Sequence, residues 1–306
     1  MRTDHLDLDQ LNLLRELADR GSVTAVADAV GRTPSAVSQQ LKALQRQVGV
    51  PLVERVGRGV QLTDAGRALV VGAVTVATAL AEAQAGWQAY RGDVSGTVRL
   101  ASFHSAAELL IPGLLHRLAR FGRLQLDTFD EDVAQDDFAG LTADYDIVIA
   151  HRSDDVAVPD RPQIVATLLM REPLDVGLPL DHPLAGRDFV TAEDLVGEAW
   201  IVPPPEYPID RVLTAVAARS GLPVRVVRRS THLPLIEKLI TAGHGIGLLP
   251  RHTSADRAAG RFALVPLRQI RAGRVVEALC RPDRAARLAV RTVLDELVAE
   301  VAQVTG

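Results

Sequence analysis

The chain of 306 residues has one cysteine, Cys280, which excludes an internal disulfide and a cysteine-based metal cluster. Because Cys280 closes the apolar run Val275 to Cys280, it reads as a buried, inert thiol, as expected of a protein from a reducing cytoplasm. Lysine is nearly missing as well: Lys42 and Lys238 are the only two, so almost all positive charge is arginine, which we read chiefly as a coding bias. No excess of charge of one sign exists, since 34 Lys and Arg stand against 38 Asp and Glu for a net charge of -4. A global pull toward nucleic acid or an anionic membrane is therefore excluded, and any basic patch must be local. The longest uncharged stretch, residues 68 to 81, falls short of the roughly 20 residues that span a bilayer. Met1 to Asp9 is acidic where an export signal needs a basic start and an apolar core.

Several chemical signatures are absent too. No Gly-Lys-Ser or Gly-Lys-Thr, no Gly-x-Ser-x-Gly and no His-x-x-x-His pair occurs, which removes the common nucleotide-binding, hydrolase and zinc-protease readings. Gly243-His244-Gly245-Ile246-Gly247 has phosphate-loop spacing but follows a helix and precedes a strand, the wrong order for a dinucleotide fingerprint. Asp127, Asp130, Glu131 and Asp132 form a carboxylate cluster that reads as solvated strand-end charge in preference to a cation site. No catalysis, metal or cofactor is expected.

What is present is an ordinary globular composition, 47% hydrophobic and 24% charged, long enough for about two domains of roughly 150 residues. Leu8, Leu11, Leu14 and Leu17 mark a first helix that ends at Gly21. Ser22 caps a second with Val23, Val26, Ala27 and Val30 inward, and Thr33-Pro34 opens a third with Val37, Leu41, Leu44 and Val48 inward. The opposite face of that third helix carries Ser35, Ser38, Gln39, Lys42 and Gln45. From Arg32 to Val60 five cations, Arg32, Lys42, Arg46, Arg55 and Arg58, face Glu54 alone, a local anion-binding footprint. Pro51 to Leu62 turns at Gly57-Arg58-Gly59 like a hairpin wing. This is the pattern of a helix-turn-helix, with Gln39 able to pair with adenine and Arg32, Arg55 and Arg58 suited to phosphates.

Thr63 opens a long helix with Leu69, Ala73, Val76, Leu80, Ala83, Trp87 and Tyr90 in heptad spacing, a seam that needs a partner helix; the alternative is packing on its own domain. Past a hinge at Gly92 to Gly96, strands expected at 97–101, 124–129, 145–150, 174–178, 199–202, 224–228 and 246–249 alternate with helices at 106–121, 136–143, 209–220 and 233–242, and the length from 97 to 306 suits two α/β lobes.

Ser22 to Leu44, SVTAVADAVGRTPSAVSQQLKAL, followed by VGVPLVERVGRGVQLTDAG at 48 to 66, resembles the amino-terminal domain of LysR-type transcriptional regulators. DYDIVIAHR at 144 to 152, DHPLA at 181 to 185 and LPLIEKLITAGHGIGLLPRH at 233 to 252 extend the resemblance along nearly the whole chain. Val53 and Gln45 depart from the residues the family commonly carries there, Phe and Glu, without removing a phosphate-binding group. The resemblance implies an α/β chain with an all-α N-terminal module: a winged helix-turn-helix at 1 to 62, a linker and dimerisation helix at 63 to 91, and an effector domain at 92 to 306. The last would have the two-lobed type 2 periplasmic-binding-protein fold, lobe I at about 97 to 165 and 272 to 306, lobe II at about 166 to 271.

A cytoplasmic homodimer or homotetramer that binds double-stranded DNA and a small effector, away from any membrane, follows from the resemblance. Arg32, Thr33, Pro34, Ser35, Ser38, Gln39, Lys42, Arg55 and Arg58 are then expected at DNA. Strand-end positions in open α/β sheets point to an effector site at Ser102, Phe103, His104, Thr128 and His151 of one lobe and Val202, Pro203, Thr231 and His232 of the other. Three histidines and the helix starts there would suit an anionic metabolite.

Overall fold

The computed structural model describes residues 6–57, 59–154, 163–205 and 207–305. Helices α1 (Leu8–Arg20), α2 (Val23–Ala29) and α3 (Pro34–Val48) and the hairpin β1 (Val53–Val56) with β2 (Gly59–Leu62) form the N-terminal module. Its core joins Leu13, Leu14 and Leu17 of α1, Val26 and Ala27 of α2, and Val37, Leu41 and Leu44 of α3 to Leu52 and Val70. The strict three-residue stripe expected of α1 is corrected at its start: Leu8 is exposed and Leu13 is buried. Real helices place i, i+3 and i+4 on one face, so a contact stripe drifts away from a strict repeat of three. Val30 is exposed too, because α2 stops at Ala29.

Helix α4 (Asp64–Tyr90) is capped by Thr63, whose Oγ accepts from the Gly66 amide at 3.0 Å, and runs about 40 Å at 1.5 Å per residue. One face, Gly66, Val70, Ala73, Ala81 and Ala85, is buried within the protomer. Val76, Leu80, Ala83, Trp87 and Tyr90 are exposed, with the Trp87 and Tyr90 rings stacked at 5.7 Å, while Leu69 is half-buried on the module core. Of the seam residues Ala73 is therefore covered by its own chain. By length and composition α4 is apolar enough to cross a membrane, yet its small-residue face is spent on packing against α1 and the C-terminal part of the chain.

A seven-stranded sheet organises the rest. Strands β3 (Gly96–Ser102), β4 (Leu124–Asp130) and β5 (Ile147–Ser153) are parallel, with α5 (His104–Leu118) and the short α6 (Phe138–Leu141) between them. The long β6 (Val165–Pro179) pairs along its first half with β11 (Gly273–Cys280). Along its second half it pairs with β9 (Gly247–Pro250) and β10 (Phe262–Pro266). One strand thus leaves the first lobe and enters the second, crossing between Pro173, opposite Gly273, and Leu174, opposite Pro250, and β11 returns.

The second lobe adds β7 (Ala199–Val202), α7 (Pro208–Ser220), β8 (Arg225–Arg229), α8 (Leu233–Thr241) and α9 (Arg251–Ala258), while α10 (Pro282–Ala286) and α11 (Leu288–Thr305) close the first lobe. The sequence reading of this part stopped short: it started a strand at Leu174 where β6 starts at Val165, and did not single out α9, β10, β11, α10 or α11. Each lobe owns an apolar core, one around Leu100, Phe103, Ile147 and Val290, the other around Val176, Trp200 and Leu248.

Candidate nucleic-acid interface and effector cleft

The turn between α2 and α3 is drawn tight by the Arg32 amide donating to the Ala27 carbonyl at 2.9 Å, with Gly31 at φ +64. Thr33 lies in extended backbone and its Oγ accepts from the Ala36 amide at 3.2 Å, so this hydroxyl caps α3. Pro34 follows in the first turn, where its missing amide costs nothing. With Val37, Leu41 and Leu44 inward, Ser35, Gln39 and Lys42 stand exposed and Ser38 half-buried on the outer face. Arg32 is exposed, 3.4 Å from Asp9.

Gln45 is corrected: it leaves the outer face, and its Oε1 accepts from the Leu52 and Val53 amides at 2.8 and 3.1 Å. The expectation treated it as an outer-face residue, but two backbone donors at the start of the wing need an acceptor, and Gln45 is the side chain within reach. Helix α3 is thereby bound to the wing, which is also held by Thr63 Oγ donating to the Pro51 carbonyl at 2.8 Å. Gly66 allows the close approach: a Cβ there would lie 2.1 Å from the Leu52 carbonyl oxygen. Between helix and wing lies an open groove of about 950 Å³ lined by Gln39, Lys42, Arg46, Val50 and Val53. Arg55 is exposed on β1, opposite Val60, and Arg58 at the wing tip lies outside the described residues. Sequence reasoning omitted Arg46 from the site, although it follows Lys42 by one helical turn.

The expected effector residues fall into different surroundings. Ser102 and Phe103 are buried at the end of β3, and the Phe103 ring meets His151 edge-on at 4.8 Å. Phe138 packs on His151 from another side at 5.0 Å, and Tyr207, from the second lobe, lies at 6.1 Å. The His151 Nδ1 is buried without a hydrogen-bond partner among the described residues. Burial, reinforced by the nearby Arg274 charge, pushes its pKa down to about 3, so this imidazole is neutral. The protonatable histidine expected here is corrected accordingly.

His104 is exposed, 3.4 Å from Asp132, and Thr128 is exposed on β4. Thr231 and His232 are exposed before α8, where the His232 amide donates to Ser230 Oγ at 3.1 Å. Val202 and Pro203 are buried, and their carbonyls accept from the Ser230 amide at 3.0 Å and Arg229 Nη1 at 2.8 Å. Among the described residues the three histidines share no hydrogen bond, ion pair or ring contact.

What the fold does bring together was missed in sequence. A cavity of about 250 Å³ opens between the lobes, lined by Gln135, Asp136 and Ser153 on one side and Pro205, Tyr207 and Arg211 on the other. Gln135 Oε1 accepts the Ser153 amide at 2.9 Å, which fixes the first wall. Behind it the crossing strands carry a buried network: Arg274 donates to Glu172 at 2.6 Å and to Ser105 Oγ at 2.9 Å, and Glu172 accepts from Thr253 Oγ at 3.1 Å. Arg274 also stands 4.8 Å over the Phe103 ring. Tyr207 follows a run of three prolines, a local signal that could have marked this loop; Arg274 and Glu172 are 102 residues apart and carried none. Among the described residues no group of His, Cys, Asp and Glu could hold a metal ion.

Residues 8–67 match the family described as bacterial regulatory helix-turn-helix protein, lysR family, and residues 91–302 match the LysR substrate binding domain. The transcriptional dual regulator GltC of Bacillus subtilis is 26% identical over 270 residues, covering 86% of each chain. A full-length OxyR variant from Pseudomonas aeruginosa superposes with a TM-score of 0.66 at 19% identity, covering 97% of this chain and 95% of its own. Full-length CbnR, solved in complex with its target DNA, gives 0.52 at 20% identity over 97% and 100% of the two chains. The winged helix-turn-helix, the long helix and the two-lobed α/β domain recur together in these folds.

Proposed function

The chain belongs to the LysR-type transcriptional regulators, and from that premise we propose that it reads double-stranded DNA with α3 and the wing and responds to a small metabolite held between the lobes. The units proposed are the DNA-binding module at 1 to 62, the linker helix at 63 to 91 and the effector domain at 92 to 306, compatible with family matches at 8–67 and 91–302.

One observation carries the DNA reading: α3 buries Val37, Leu41 and Leu44 on one face and leaves Ser35, Gln39 and Lys42 exposed beside the groove that Arg46 and the wing complete. Gln39 would address bases, Ser35 and Ser38 bases or backbone, and Arg32, Lys42, Arg55 and Arg58 phosphates, with Thr33 and Pro34 setting the start of the helix. Two such helices in one two-fold assembly would reach successive half-sites. For that assembly we propose α4 pairing through Val76, Leu80, Ala83, Trp87 and Tyr90, which Leu80→Asp should dissociate in sedimentation. A relative that carries a regulator's name, GltC, supports regulation over catalysis, and the cytoplasm is the place of action we propose.

For the effector we propose the inter-lobe cavity, whose size suits a small metabolite and whose walls come from both lobes, so that binding would favour one lobe arrangement. His151 is neutral and Arg274 is matched by Glu172, and an acidic group entering the cavity would meet Arg211 on the second-lobe wall. Sequencing the DNA retained by the purified protein, with and without metabolite pools, tests both halves. Enrichment of one sequence that shifts with a pool is expected. Retention of DNA without sequence preference would sink the first half, and a pool-independent profile the second.

A further inference from the structure

Helix α4 belongs to two bodies. Val70 closes the core of the N-terminal module, and further along the helix packs on α10 and α11 of the first lobe. Module and lobe are thus joined by packing, to which ion pairs from α1 add, such as Arg281 to Glu16 at 2.6 Å. Inside this fixed junction α1, α4 and α10 do not fill the space between them: a cavity of about 270 Å³ remains. At about 30 Å³ per water it has room for roughly nine waters, or for a ligand with a similar number of heavy atoms. The space exists because its α4 wall is Ala73, Ala77 and Ala81, four residues apart on one helical face, where any larger side chain would enter it.

The opposite wall differs in kind. Arg15 of α1, 9% exposed, stands 3.0 Å from Asp283 Oδ2, yet its Nε and Nη1 have no hydrogen-bond partner, and neither has Asp283 Oδ1. Arg284 of α10 and Arg287 just after it each spend Nη1 on one and the same carboxylate, Asp146, at 2.6 and 2.8 Å. Three guanidiniums, of residues 15, 284 and 287, therefore face two carboxylates, of residues 146 and 283, and one positive charge is left over. Glu16 and Asp19, further along α1, are taken up by Arg281 and Arg20 and do not line the cavity. A cavity with apolar walls alone stays dry, whereas a guanidinium buried without acceptors calls for a group that can accept.

We propose that this cavity is a second small-molecule site, separate from the cleft between the lobes, and that it takes a short amphipathic carboxylate. The acid head would accept from Arg284 and Arg287, whose side chains are each 36% exposed, and would supply the missing negative charge beside Arg15. The alkyl tail would lie along Ala73, Ala77 and Ala81, against Leu11. A tail of about six carbons fits the space, an ammonium head would meet the surplus guanidinium, and a neutral amide would leave it unmatched. Leu8 and Leu80, which also line the cavity, are exposed and mark its mouth. Because Leu80 also belongs to the seam proposed for pairing, it stays unchanged in the variants below.

The probes are hexanoate, hexanamide and hexylammonium, titrated calorimetrically into the full chain. Hexanoate should bind about tenfold more tightly than hexanamide, and hexylammonium should give no heat. Ala77→Leu, by filling the cavity, should abolish binding of both hexanoate and hexanamide. Arg284→Gln, where Arg287 and the Arg99 amide still hold Asp146, should weaken hexanoate about tenfold and leave hexanamide unchanged. Arg211→Gln, in the cleft between the lobes, should bind hexanoate as the wild type does. No hexanoate binding by the wild type at millimolar concentration, or equal binding by folded Ala77→Leu, overturns the proposal. Loss of hexanoate in Arg211→Gln but not in Ala77→Leu would place the anion between the lobes and overturn it too. Should Ala77→Leu not fold, Arg284→Gln decides alone, and an undiminished hexanoate affinity there overturns it equally.

Discussion

In the N-terminal module Lys42, Arg46 and Arg55 stand exposed with no carboxylate partner among the described residues, whereas in the effector domain Arg251, Arg257 and Arg274 are locked to Asp175, Glu237 and Glu172. The two regions use the same residue type for opposite ends. An exposed cation is screened within about 10 Å at ordinary salt, contributes little to stability and is available to a polyanion. A buried one must be matched where it sits, and once matched it is lost to any ligand. Arginine-rich composition thus says little about function until each guanidinium has been placed.

The largest effect that could break this contrast is at Glu172, which is 0% exposed beside an Arg274 side chain at 12%. Glu172→Gln leaves Arg274 buried without its counter-charge, and unfolding free energy should drop by about 3–5 kcal/mol, as when one partner of a buried pair is removed. Adding Arg274→Met should recover most of the loss, because replacing both members of such a pair by apolar groups is close to neutral. Urea titrations of the two variants decide it. A loss below about 1 kcal/mol in Glu172→Gln would mean that the pair is solvated and that the contrast is one of geometry only.

A smaller effect concerns His151, the buried group whose charge the effector domain suppresses. Its pKa is lowered from 6.5 to about 3, so between those values the unfolded chain binds a proton that the folded one does not. The stability this contributes is fully present above pH 6.5 and lost as pH falls toward 3, at up to about 1.4 kcal/mol per pH unit. Between pH 7 and pH 5 the share of His151 is about 2 kcal/mol. His151→Phe, whose ring can sit between Phe103 and Phe138, should lose that much less stability than the wild type across the same interval. Equal losses in both would mean that His151 is accessible to protons when folded.

Reading the sequence worked where structure is local. Thr33-Pro34, Ser22 and Gly21 announced caps found at those positions, and the inward faces of α2 and α3 followed from a 3.6-residue period at Val26, Val37, Leu41 and Leu44. It worked less well where partners are distant. The Glu172–Arg274 pair and the cavity walls at Gln135 and Arg211 join segments that only the strand crossings of β6 and β11 bring together. Strand-end logic put Phe103 and His151 in one expected cleft, and their rings do meet, but it said nothing of burial, and burial is what makes His151 a neutral ring instead of a charged donor to an anion. Gln45 shows the same limit at short range: the period put it on the outer stripe of α3, but its two bonds to the wing take it off that face.

The smallest expected effect on stability, and the sharpest test of the exposed side of the comparison, is at Lys42 and Arg55. Both side chains are exposed and make no ion pair among the described residues, so Lys42→Ala and Arg55→Ala should each change unfolding free energy by no more than about 0.5 kcal/mol. Their proposed role is to neutralise phosphates, and each phosphate contact removed lowers the slope of log affinity against log salt by about 1. Affinity should fall alike for any duplex, since phosphate contacts carry no sequence information. Gln39→Ala, about one turn from Lys42 on the same face, should behave otherwise: an unchanged salt slope, with a loss of about 1–3 kcal/mol confined to duplexes carrying the base it addresses. Fluorescence anisotropy on a random duplex and a selected one, each at several salt concentrations, separates the two. If Lys42→Ala leaves the slope intact while Gln39→Ala weakens every duplex equally, the assignments are exchanged: the exposed cation then sits away from the backbone, and the glutamine is what holds it.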